Sequence, residues 1–290
     1  MDSSTLESTS NSAITAKGII DCHMHLIGPE HSYPFSPGKE GLFPEWGYQD
    51  YAAFSQALGI THNVITQTPF YGFDNSNLVH GLEQMSGRAK GIAVVNAGMP
   101  DEEFKRLQKA GVVGANFYLM KGGELDWSVV APTNERIQDF EWQTQLQFNG
   151  RESVDRLDDL KALKGTVVFD HIGKFQPTVK TTDTAFRHLC TLLEKGNFYI
   201  KLSAPYESSS NASPYFGEAG DLASFLIKEF PDRVIWGSNW PHLGLPNIED
   251  WPNSQDLLQN LVLWGADEKT ARKILLETPS RLFKFKNINC

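Results

Sequence analysis

The sequence predicts a single-domain (β/α)8 barrel of the TIM type over residues 18–290. Three observations lead there: short apolar runs, amphipathic stretches alternating with them, and polar residues recurring where the runs end. The runs are GIIDCHMH (18–25), NVITQT (63–68), KGIAVVN (90–96), VVGANFYLM (112–120), WQTQLQF (142–148), GTVVFDH (165–171), NFYIKLS (197–203) and RVIWGSN (233–239), which makes eight strands. Helical patterns fall between them at 48–58, 75–85, 101–110, weakly at 134–140, then at 151–163, 183–195, 219–230 and in a C-terminal set from 254. DEEFKRLQKAG shows the logic: Asp101 can cap, acidic residues fill the first turn, Phe104 and Leu107 share a face, and Gly111 follows the end. The competing doubly wound sheet lacks support, because no GxGxxG or GxxxxGK[ST] follows any run.

A chain of 290 residues fits one such barrel, and residues 1–17, rich in Ser and Thr with no long apolar run, read as a disordered leader. Lys and Arg number 26 against 35 Asp and Glu, a net −9 with no basic run, which argues against nucleic acid as a partner. No segment is apolar enough for a membrane span. Cys22, Cys190 and Cys290 form neither a CxxC pair nor a disulfide framework, so a cytoplasmic setting is expected. The chain is expected to be a monomer or a small homo-oligomer.

In a barrel, chemistry gathers where the strands end, because the following loops converge on one mouth. The candidates are Asp21, His23 and His25; Gln67 and Thr68; Asn96; Asn116, Tyr118 and Lys121; Gln145 and Gln147; Asp170 and His171; Lys201 and Ser203; Asn239 and His242. Residues two apart on a strand share a face, so His23 and His25 are expected to look into the mouth together. Cys22, alternating with them, is expected in the barrel wall, and Asp170 is expected to face away from His171. Lys121 and Lys201 are more often ion-paired strand-end residues than catalysts. Ser203 and Ser238 lack a GxSxG elbow.

IIDCHMHLIGP, VVFDHIGK and VIWGSNWPH, in that order, together with ALGITHNVITQ, KLSAPYE and ARKILLETPSRLFKF, resemble the amidohydrolase superfamily over residues 18–285. The similarity is to its branch of 2-pyrone-4,6-dicarboxylate lactonase, 4-sulfomuconolactonase and galactarolactone isomerase. The resemblance implies an enzyme that opens or rearranges lactones without a tightly bound metal. By position His23, His25 and His171 would polarise the carbonyl, and a strand-eight aspartate would activate water. At that aspartate position this chain has Asn239.

An amide has no usable pKa and can only orient a partner, so residue 239 cannot act as a general base. Losing that anionic ligand also weakens any metal site, so no essential metal is expected, with zinc tolerated at low occupancy. Three readings stay open. A histidine, His171 or His242, becomes the base of a metal-independent lactonase; or the substrate's own hydroxyl, oriented by Asn239, attacks in an isomerase or cyclase; or the barrel only binds a small molecule. Where relatives place carboxylate-gripping arginines, this chain has Asn116, Gly122, Lys174 and Glu207, among loop aromatics including Phe70, Tyr71, Tyr118, Tyr206 and Trp240. A neutral or monoanionic cyclic substrate is therefore expected, touched by Gln67, Tyr71, Asn116, Tyr118, Lys121, Gln147, Lys174, Ser203, Tyr206 and Trp240.

Overall fold

Short β-branched runs joined by helical segments can pair only in parallel, because each connection must carry the chain back to the same end of the sheet. The computed structural model describes residues 18–286 except 122, 124, 210–212 and 246, so the leader, Gly122 and Cys290 lie outside the described residues. Among the described residues the strands are β1 (Ile19–Met24), β2 (Ile60–Thr66), β3 (Ala89–Ala93), β4 (Val112–Tyr118), β5 (Gln143–Gln147), β6 (Val167–Phe169), β7 (Phe198–Leu202) and β8 (Val234–Trp236). They pair in sequence order, all parallel. Between β8 and β1 the sheet is joined past the end of β8, where Asn239 N–H donates to the His23 carbonyl and His25 N–H to the Trp240 carbonyl, both at 2.8 Å. The expected barrel is present.

Helices α1 (Tyr48–Leu58), α2 (Ser76–Gln84), α3 (Asp101–Ala110), α4 (Val130–Ile137), α5 (Ser153–Ala162), α6 (Thr184–Glu194) and α7 (Gly217–Glu229) alternate with the strands. After β8 come α8 (Ser254–Leu263), α9 (Glu268–Arg272) and α10 (Thr278–Leu282). The bounds of α1 and α3 match the periodicity. The fourth helix begins earlier than expected, and 138–140 is a separate 3-10 turn. Asp101 is not the cap of α3: Pro100 takes that position and Asp101 pairs with Arg136 instead. None of the described helices is long and apolar enough to cross a membrane.

Two packed layers hold the barrel. The larger lies between strands and helices, with Phe104, Phe169, Phe186 and Trp236 all buried. The smaller contains Ile20, Val64, Ile92, Val168, Tyr199 and Ile235 from the strands, together with Leu276 and Phe283 from the C-terminal helical segment. Burying each such side chain is worth about 1.5–3 kcal/mol.

Cys22 belongs to that smaller cluster and not to the wall: it keeps the alternation set by Ile20, which is in the same cluster, and the bulge on β1 then brings His23 round as well. Asp21 pairs with Asn63 and Met24 with Ile65, so three steps on β1 match two on β2. Such a bulge suspends the alternation of side chains.

Candidate active site

The bulge decides where His23 points. Its ring lies between Lys201 and His25, and its backbone is pressed against β8: a Cβ on Gly237 would sit 2.6 Å from His23 Cβ and 2.9 Å from its backbone nitrogen. Only glycine permits that approach. Asp21, one residue before Cys22, turns away from the mouth. Its carboxylate accepts from Tyr51 Oη at 3.0 Å, Ser238 Oγ at 2.5 Å, Ser238 N–H at 2.9 Å and His23 N–H at 3.1 Å, stitching β1 to the segment after β8. Burial nevertheless pushes its carboxyl up to about 6.

Proton positions in the histidine chain follow from its partners. His25 Nδ1 lies 2.8 Å from the Thr66 carbonyl, which can only accept, so Nδ1 carries the hydrogen. Nε2 of neutral His25 is then an acceptor, and His23 Nε2 donates to it at 3.2 Å. That leaves His23 Nδ1 to accept from Lys201 Nζ at 2.9 Å. Lys201 also donates to Gln145 Oε1 at 2.5 Å and forms an ion pair with Asp170 Oδ1 at 2.9 Å. Burial first, then the Lys201 charge, pushes the His23 imidazole down to about 3, so the ring is neutral as the chain requires. Burial also lowers His25, opposed by its bond to Thr66.

Asp170 does not face away from the site. Its carboxylate lies beside Lys201 and 3.5 Å from His23 Nδ1, fully buried. Burial, the largest influence, would raise it, but the Lys201 ammonium together with His23 and His171 holds it well below the usual carboxylate range. Val168 belongs to the same cluster as Ile20 and Ile235, so period two sends Asp170 inward. His171 joins it because the backbone turns left-handed there: φ is 54° at His171, 57° at Ile172, 81° at Gly173 and 42° at Lys174. Left-handed backbone costs about 1–2 kcal/mol per non-glycine residue, strain of the kind that gathers at functional sites. The turn ties His171 Nδ1 to Ser203 Oγ at 2.8 Å and brings Lys174 to Glu207. Burial, then His23, lowers the His171 imidazole well below its ordinary value.

A cation site fits this centre poorly. His23, Asp170 and His171 offer ligand atoms within 4.8 Å of one another, but the Lys201 ammonium already occupies the partner position of both His23 and Asp170.

Asn239 lies past the end of β8 with φ of 59°, a conformation asparagine tolerates better than most residues. Its Nδ2 donates to Tyr206 Oη at 2.8 Å and faces Glu207 Oε1 at 3.3 Å. Tyr206 Oη–H donates in turn to His242 Nδ1 at 2.8 Å. A cavity of about 90 Å³ opens above, lined by His25, His171 and Asn239 together with Thr68, Asn116, Tyr118, Gln147, Lys174 and Glu207.

The amidohydrolase family matches residues 20–285. The chain belongs to the amidohydrolase family. It is 31% identical to a D-galactarolactone isomerase of Agrobacterium fabrum, over 96% of this chain and 95% of that one. It is 30% identical to a 4-sulfomuconolactone hydrolase of Hydrogenophaga intermedia, over 92% and 88%. An apo crystal structure from Agrobacterium tumefaciens superposes with a TM-score of 0.88 at 30% identity, covering 96% of this chain and 99% of that one.

The remaining expected contacts of this amidohydrolase divide by place. Asn116, Tyr118, Gln147 and Lys174 reach the cavity, and Ser203 reaches it through His171. His23 does not line it. The expected trio becomes two imidazoles on the wall and one behind them. His242 lies behind Tyr206, with burial pushing its imidazole down to about 3, which makes it a poor reserve base. Gln67 is turned to the Asp74 carbonyl, and Tyr71, whose Oη accepts from Gly28 N–H, does not line the cavity. Trp240 packs on Tyr51 and Trp46, and Lys121 is exposed. Glu207, which from sequence stands only where relatives place an arginine, also lines the cavity, directly after Tyr206 in the loop following β7. Thr68 and Asn116 each bring a buried oxygen without a hydrogen-bond partner.

Proposed function

We propose that this enzyme transfers the acyl group of a small lactone, without a resident metal, to a hydroxyl of the same substrate. The observation that carries the reading is the joint placement of His25, His171 and Asn239 on one small cavity, with His25 braced from behind by His23 and Lys201. With Ser203 Oγ–H donating to His171 Nδ1, His171 Nε2 carries the hydrogen and donates to the lactone carbonyl oxygen. Charge developing on that oxygen is stabilised by a donor already in position. His23 fixes the tautomer of His25, and Lys201 fixes that of His23. Asn239 orients its neighbours and takes no proton. The unpartnered Thr68 Oγ1 and Asn116 Oδ1 suit ring hydroxyls, since an unmade buried hydrogen bond costs about 1–3 kcal/mol.

Asn239 in place of a carboxylate favours an internal nucleophile, because an amide can orient a hydroxyl of the substrate but cannot take a proton from an attacking water. Holding both reacting groups in one molecule contributes about 7–11 kcal/mol when attack geometry is good. Hydrolysis is the second reading, supported by the relative named a 4-sulfomuconolactone hydrolase. A barrel that only binds loses its support, because these relatives are named for enzymes. Lys174, the one Lys or Arg among the described lining residues and already paired with Glu207, suits a neutral or monoanionic ring, and the buried free thiols of Cys22 and Cys190 suit a cytoplasmic setting.

The test is a panel of hydroxylated lactones assayed before and after dialysis against a chelator. Turnover is expected to survive chelation, and His171→Ala is expected to lower kcat about 10²–10³-fold with an unchanged melting temperature. Absence of turnover on every lactone, or activity lost on chelation and restored by zinc, would overturn the reading.

A further inference from the structure

We propose that Glu207 is the general base and acid of this site, performing with its own carboxylate the proton transfer that an amide at position 239 cannot. This rests on the acyl-transfer reading above. Among the described residues lining the cavity, the ionisable groups are His25, Tyr118, His171, Lys174 and Glu207, and Glu207 is the one carboxylate.

The two imidazoles already have other work. His25 Nδ1–H is spent on Thr66, and His25 Nε2 receives the proton of His23. His171 is the donor to the carbonyl, held by Ser203. Burial lowers the basicity of both rings as well. His23 and His242 do not reach the cavity wall.

Glu207 has the position that a displaced base needs. It ends the 3-10 turn Pro205–Glu207 after β7, a turn entered through left-handed Ala204 at φ 46°. Its carboxylate pairs with the Lys174 ammonium, and its Oε1 lies 3.3 Å from Asn239 Nδ2. The third side is Gly244, where a Cβ would come within 2.9 Å of Oε1. Loops after β6, β7 and β8 thus converge on one carboxylate beside Asn239. If the pair with Lys174 were only structural, neither the Asn239 contact nor the place on the cavity wall would be needed.

The step balances without a co-reactant. The substrate hydroxyl gives its proton to Glu207 as its oxygen forms a bond to the lactone carbonyl carbon, and the carbonyl π pair moves to oxygen as the oxyanion. Collapse re-forms the carbonyl and breaks the original ring C–O bond. The departing alkoxide takes the proton back from Glu207, which ends as it began.

Glu207→Gln keeps the shape and removes the base; Glu207→Ala opens space for an added carboxylate. Both are assayed on a lactone that the unaltered enzyme turns over, across pH, with and without formate. The expected result is a kcat loss of about 10²–10⁴-fold in both variants, KM nearly unchanged, and loss of the acid limb of the pH profile. Formate is expected to restore at least tenfold to Glu207→Ala in a concentration-dependent way. A Glu207→Gln enzyme that keeps kcat within threefold and retains its acid limb overturns the assignment, as does a Glu207→Ala enzyme that formate fails to rescue. Either result leaves the lactone reading standing, whereas an unaltered enzyme inactive on every lactone removes both.

Discussion

Replacing Lys201 by methionine keeps the length of a fully buried side chain and removes two hydrogen bonds, to Gln145 and His23, and the ion pair with Asp170. What remains is an Asp170 carboxylate with no cation beside it in the interior. Removing one partner of a buried pair costs about 3–5 kcal/mol, most of it the penalty on the charge left behind. At roughly 2.1 cal/mol/K per residue, unfolding 290 residues carries about 0.6 kcal/mol/K of entropy, so the melting temperature is expected to fall about 5–8 °C. Adding Asp170→Asn removes the stranded charge, and the double variant is expected to recover more than half of the loss. Calorimetry at neutral pH reads both. Freed of the ammonium, His23, Asp170 and His171 are also expected to take up a divalent cation, measured by metal analysis of Lys201→Met. A single variant losing under about 1 kcal/mol, or a double variant no better than the single, would refute the account of this pair.

Stability is expected to fall on acidification. The His23 and His242 imidazoles are pushed down to about 3, so between an unfolded value of roughly 6.5 and that point the unfolded chain binds protons that the native state refuses. Each ring forfeits on the order of 5 kcal/mol across that window. Asp21, pushed up to about 6, acts oppositely and adds on the order of 3 kcal/mol as pH falls from there to about 4. The two rings outweigh it, so melting temperature against pH is expected to decline below about 6.5, less steeply in His242→Gln. Gly237→Ala presses a methyl into the His23 backbone and is expected to cost at least about 1–3 kcal/mol and to depress kcat more than KM; an unchanged kcat would mean that His23 placement is not critical.

Strand order, helix alternation and the mouth residues on β1, β4, β5 and the loop after β8 were legible because period two and period 3.6 depend on local sequence alone. What escaped reading is where backbone departs from those periods. On β1, Cys22 follows Ile20 inward and the bulge then turns His23 to the site as well, and no residue type announces a bulge there. The phase of β6 is set by Val168, while His171 enters through a left-handed turn containing Ile172, a residue that local preference places elsewhere. Asp170 was misplaced for that reason. Lys201 looked like an ordinary paired lysine, and it is paired, but its partners span β1, β5 and the end of β6, a long-range fact that no spacing encodes. Glu207 hid in the same way, because its value comes from Asn239 and Lys174 on neighbouring loops.

The central claim is that the nucleophile belongs to the substrate. Incubating the enzyme with a hydroxylated lactone in heavy-oxygen water, followed by mass spectrometry of the product, tests it most directly. The account predicts an isomeric lactone of unchanged mass, free of the label. An open-chain acid carrying one heavy oxygen in its carboxylate would contradict it.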